Sequence, residues 1–119
     1  MGDGTNLPVI EKVERAKSVS LAGFNAAPDG SELLVITGTV KEIKNDKYGN
    51  IYVTDGTNDV YVYGVYGYGA AKGSADRQNF LANQGIGVGD KITLVGPKTT
   101  YNGTVEMNGG YYVSHTKAQ

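Results

Sequence analysis

The chain has 119 residues, a formal net charge of −1, eighteen glycines, nine tyrosines and no cysteine or tryptophan. That length fits a single domain able to bury its own core, and the lack of thiols excludes disulfides and thiolate zinc sites. Between positions 32 and 117 eight basic residues are balanced by eight acidic ones, which argues against a surface that holds phosphate backbones by charge alone.

Residues 1 to 17 are polar, mixed in charge and poor in large apolar groups, so they are predicted to form a flexible tail. The opening Met1-Gly2-Asp3-Gly4-Thr5-Asn6 reads as a start placed after a removed leader. No apolar run approaches the roughly 20 residues of a membrane-spanning helix. From Ser18 to Ala27 a serine cap precedes Leu21 and Phe24, predicting a short helix, and Pro28-Asp29-Gly30 is a turn.

Glu32 to Lys44 predicts a long strand. Leu34, Ile36, Gly38 and Val40 recur at period two and Ile43 falls out of step, as a sharply coiled barrel strand requires. After a loop at 45–50, Asp55-Gly56-Thr57-Asn58 marks a tight hairpin. With Gly56 and Thr57 at its centre, Val53 faces Val60, Tyr52 faces Tyr61 and Ile51 faces Val62. Alternation then sends the valines and Ile51 to one side, and Asn50, Tyr52, Thr54, Asp59, Tyr61 and Tyr63 to the other.

Gly64 to Ser74 reads as a loop, and Asp76 to Gln84 as a short helix capped by Asp76 and stopped by Gly85. A strand follows from Lys91 to Gly96. Tyr101-Asn102-Gly103-Thr104 signals a type I′ hairpin, and the last strand runs through Val105 and Met107, kinks at Asn108-Gly109-Gly110 and resumes at Tyr111.

Helix, three strands, helix and two strands is the order of an all-β, five-stranded OB-fold Greek-key barrel, with short helices at the N-terminus and between strands 3 and 4. The predicted domain covers 18–117, and a sandwich of about seven strands would not fit. Ile36-Thr37-Gly38-Thr39-Val40, Tyr48-Gly49-Asn50-Ile51-Tyr52-Val53-Thr54-Asp55 and Val60-Tyr61-Val62-Tyr63-Gly64, followed by Val88-Gly89-Asp90-Lys91-Ile92-Thr93-Leu94, Tyr101-Asn102-Gly103 and Glu106, resemble OB-fold domains of Bacteroides-type lipoproteins. The resemblance implies a secreted or cell-envelope location and nucleic-acid binding, although the lipid-attachment cysteine of such proteins is absent.

OB barrels bind ligands on the outer face of their second and third strands, between two flanking loops. Tyr52, Tyr61, Tyr63 and Asn50 are therefore the candidate ligand surface, with Lys41, Lys44, Lys47 and Lys98 expected near its rim. Bases or sugar rings stack on such rings; the alternative is that cross-strand tyrosines only stabilise the sheet. His115, the one histidine, lacks the partners of a triad or metal site, and the Asp55–Asp59 loop lacks EF-hand spacing. The sequence thus predicts a non-catalytic module without cofactor or metal. Its expected partner is single-stranded nucleic acid, or alternatively a glycan or a protein at the cell envelope.

Overall fold

A computed structural model describes residues 16–67 and 75–118. Six strands, β1 (Lys17–Ser18), β2 (Leu33–Asn45), β3 (Asn50–Thr54), β4 (Asp59–Tyr66), β5 (Lys91–Tyr101) and β6 (Thr104–Thr116), are accompanied by the helices α1 (Leu21–Ala26) and α2 (Phe80–Gln84). The strands β2, β3, β4, β6 and β5 follow one another round the barrel, and β5 closes it by pairing antiparallel with β2. The β4–β6 pair is parallel and the other barrel pairs are antiparallel. This is the five-stranded OB fold, with α2 between the third and fourth barrel strands.

Most of the predicted tail lies outside the described residues, but its end does not. Lys17 and Ser18 pair in parallel with Leu34 and Val35 of β2. In α1 the serine cap is Ser20, whose Oγ accepts the Gly23 N–H at 3.0 Å, and Leu21 and Phe24 are buried against the barrel. Gly38 makes that approach possible: a Cβ there would lie 3.3 Å from the Leu21 side chain and 3.2 Å from the Thr54 carbonyl oxygen.

The expected phase slip in β2 is present as register shifts between Val40 and Glu42 and between Ile43 and Asn45. Leu34, Ile36 and Val40 of β2 meet Ile51, Val53, Val60, Val62, Leu94 and Met107 in one buried core.

Three elements differ from expectation. The loop predicted over Gly64–Ser74 begins later, because β4 runs on through the buried Val65 to Tyr66, and positions 68–74 of that loop lie outside the described residues. The helix predicted over Asp76–Gln84 is a 3₁₀ turn at Ala75–Arg77 followed by the separate α2. Asn79 interrupts it by adopting a left-handed backbone (φ 59°), a conformation asparagine tolerates, and its N–H donates to the Lys47 carbonyl at 2.7 Å. The strand predicted to stop at Gly96 continues through Pro97 to Tyr101. Here β5 lies close on β6, because a Cβ at Gly96 would meet the Gly109 carbonyl oxygen and approach Met107 Cγ to 2.8 Å.

Asp90 fastens the C-terminal segment. It is 1% exposed. Its carboxylate accepts the Lys117 ammonium and the N–H groups of Gly87 and Ala118, each at 2.8 Å. Those donors, the Lys117 ammonium foremost, hold its pKa down at about 2. A carboxylate depressed on folding stabilises above its unfolded value near ~4 and loses that contribution as pH falls towards its folded value. Asp90→Asn is expected to lower the melting temperature at pH 7 and to flatten the acid limb between about pH 4 and the folded pKa near 2. Thermal melts across that range check this, and an acid limb identical to that of the parent chain would remove Asp90 as its source.

Candidate functional site

The hairpin turn sets the site. Asp55 N–H donates to the Asn58 carbonyl at 3.1 Å, and Asp55 Oδ1 accepts the N–H groups of Thr57 and Asn58 at 2.9 and 2.7 Å. A turn so tied permits one register, and the pairs are Val53 with Val60, Tyr52 with Tyr61 and Ile51 with Val62, as the sequence predicts. Ile51, Val53, Val60 and Val62 are buried, each at 1% exposure or less. The tyrosines between them therefore point outward.

Tyr52 and Tyr61 lean on each other, centroids 5.0 Å apart at a tilt of 42°, while Tyr63 is 53% exposed. Burial, and after it the charge of Glu106, pushes the Tyr61 phenol up. Helix α1 spends Leu21 and Phe24 on the core and reaches the hairpin through Asn25 Nδ2, which donates to the Asp59 carbonyl at 2.9 Å.

The outer face continues onto strands that local reasoning does not connect. Register carries one row of side chains from Glu42 through Tyr52, Tyr61 and Glu106 to Thr99. In the adjacent row Asn45 pairs with Asn50, and Tyr63 with Asn108. The face thus combines aromatic rings with uncharged amides and hydroxyls. Glu106 sits within it at 8% exposure. Burial alone pushes its carboxyl up, and it has no hydrogen bond or ion pair among the described residues.

The four candidate lysines separate. Lys41 reaches across the face to Asp59, Nζ to Oδ2 2.6 Å, and the pair raises the lysine pKa and lowers that of the aspartate. Lys44 lies 3.5 Å from Glu42 at the margin. Lys47 sits in the loop after β2, 5.4 Å from the Tyr48 ring, with no carboxylate partner among the described residues. That loop is held by Gly49 (φ 78°), which packs on the Val65 backbone, and by the Val65 N–H donating to the Tyr48 carbonyl at 3.3 Å.

Lys98 does not join the others. It pairs in register with the fully buried Met107, so it shares the core side of the sheet, and its ammonium binds Asp29 at 2.8 Å. Thr100 donates to the same carboxylate at 3.0 Å, which fastens the turn after α1 to β5. Its role is to hold that turn.

Sequence reasoning missed Glu106, Asn108 and Thr99 as members of this face. Val105 and Met107, both packed in or against the core, were the signal: the residue between them had to face out. The remaining aromatic clusters have internal partners. Arg77 stacks 4.0 Å from the Tyr66 centroid, and the Tyr112 hydroxyl is 2.7 Å from His115 Nδ1. Among the described residues no group of three His, Asp or Glu side chains is placed to hold a metal ion, and no helix is long and apolar enough to cross a membrane.

No family model matches the chain, and no curated protein matches it. Among solved structures it is similar to the telomere capping protein Ten1 from Saccharomyces pombe, at 15% identity and a TM-score of 0.48, covering 85% of this chain and 79% of that one. It is likewise similar to the S. pombe Stn1–Ten1 complex, at 16% identity and a TM-score of 0.48, with 87% and 76% covered. The resemblance to Bacteroides-type lipoprotein domains is overturned, since no family model matches the chain. Its motifs are hairpin turns and core alternation, which any barrel of this topology shares. The secreted or cell-envelope location rested on that resemblance and falls with it, and the glycan alternative finds no support.

Proposed function

We propose that the protein is a non-catalytic binding module that takes single-stranded nucleic acid on the outer face of β3 and β4. The observation that carries this reading is the tyrosine triplet Tyr52, Tyr61 and Tyr63 on one outward face of the OB barrel, with Tyr63 half open to solvent. Bases stack on such rings whatever their identity, because every base has a π face. Asn50 and Asn108, beside the rings, are amides of the kind that hydrogen-bond base edges.

Charge plays a small part. Lys41 and Lys44 already face Asp59 and Glu42, which leaves Lys47 as the nearest lysine without a carboxylate among the described residues. A single strand releases counterions with a log–log salt slope of about −0.7 per neutralised phosphate. Fluorescence anisotropy with labelled oligonucleotides of about ten nucleotides is therefore expected to show binding with a shallow slope, about −1. No binding of any of these strands at low salt would remove the reading.

A protein partner is the second reading, favoured by the near-cancellation of charge on the face and by the enrichment of tyrosine at protein interfaces. On that reading the same three rings bury against polypeptide and oligonucleotides do not compete.

A further inference from the structure

The outer face holds a carboxylate that no other described residue pairs with. Glu106 is more than nine-tenths buried, its carboxylate has no hydrogen bond or ion pair among the described residues, and it stands next to Tyr61 across the β4–β6 seam. Three other carboxylates of the described residues on β2 and the β3–β4 hairpin are occupied: Asp59 by Lys41, Glu42 by Lys44, and Asp55 by its own turn. An unpaired acceptor buried in this way opposes folding, and such groups in native proteins concentrate where a ligand completes them. Val105 and Met107 on either side already meet the core's needs, so an apolar or small residue at 106 would have served the barrel alone.

We infer that Glu106 is the base-reading group of this face, accepting hydrogen bonds from the edge of a base stacked on Tyr61, and that it selects guanine. This rests on the nucleic-acid reading above. Neighbouring strands lie about 4.8 Å apart, so a base lying on the Tyr61 ring brings its edge to the adjacent β6 side chain. An ionised carboxylate only accepts, and its two oxygens suit paired donors. Guanine presents N1–H and N2–H side by side on its Watson–Crick edge, which is open in a single strand. Thymine and uracil present one imino N–H between two carbonyl oxygens that the carboxylate repels. Cytosine and adenine present an amino group beside an acceptor nitrogen, so each satisfies one oxygen and opposes the other. Phosphate is repelled outright. Thr99 and Asn108, flanking Glu106 by register and by sequence, add neutral hydrogen-bonding capacity without changing that preference.

The test is anisotropy at pH 7 with thymidine strands carrying isolated guanines, spaced so that they cannot associate. Matched strands carry inosine, cytosine, adenine or only thymine. The guanine strand is expected to bind about tenfold or more tighter than the thymine strand. Inosine, which lacks the N2 amino group, should lose most of that advantage with no change to the protein. Glu106→Gln is expected to level guanine against cytosine and adenine by removing the roughly tenfold guanine advantage, and circular dichroism establishes that the variant is folded. Equal binding of all strands, or a guanine preference that survives Glu106→Gln, overturns the inference and leaves the stacking surface standing. Failure of every strand to bind overturns both.

Discussion

Tyr61→Ala is expected to weaken oligonucleotide binding by about tenfold, within the ~1–3 kcal/mol that removal of one stacking ring costs, while lowering stability by about 1 kcal/mol. The smaller number follows from what the ring touches. Its partner is Tyr52 at 5.0 Å, on a half-buried outer face, and cross-strand aromatic pairs contribute about 0.5–1.5 kcal/mol. Val62→Ala reverses the pattern. Val62 is fully buried against the core and against Gly110, so its truncation leaves a cavity and costs about 2 kcal/mol of stability with affinity retained in the folded fraction. Urea denaturation and anisotropy on the two variants check both halves. Equal losses of stability with binding intact in both would show the rings to be sheet buttresses only.

Gly96→Ala is expected to be the most damaging single-methyl change, costing about 3 kcal/mol. The new Cβ would meet the Gly109 carbonyl oxygen, which is backbone and cannot rotate away, and Met107 Cγ at 2.8 Å. Relief requires β5 to part from β6 beside Glu106 and Asn108, so ligand binding is expected to fall with stability. Gly87→Ala is the control, since a Cβ there meets nothing within 4 Å and the position has no positive φ. At such a site alanine is neutral or stabilising by a few tenths of a kcal/mol. Chemical denaturation curves for the pair decide the point, and similar midpoints for the two would show that the strand contact is looser than its geometry.

What the sequence revealed depended on how local the determining contact was. The β3–β4 register was readable because the Asp55–Asn58 turn sets it within four residues, and the inward or outward direction of every side chain on that hairpin follows from the turn. The slip at Ile43 was readable for the same reason, as a break in a period of two. Lys98 was misplaced because Gly96-Pro97 looks like the end of a strand. Ile92, Leu94, Gly96 and Lys98 in fact continue one inward alternation, and the irregularity of the pair is matched by the Gly109–Gly110 stretch of β6. Asn79 broke a helix that composition favoured, through a backbone bond to Lys47, a residue far away in the chain. Glu106 could be assigned an outward direction from Val105 and Met107, but its neighbour could not be named, because a parallel pairing joins segments that no turn links.

That parallel seam also joins the two halves of the chain. The β3–β4 and β5–β6 hairpins each close over a short connection, whereas the β4–β6 pair closes over the whole intervening chain, at a larger cost in loop entropy. Tyr52, Tyr61 and Tyr63 come together within the first hairpin; Glu106 arrives with the second. If the face takes bases as proposed, discrimination would require the finished barrel, whereas stacking would require one ribbon within it.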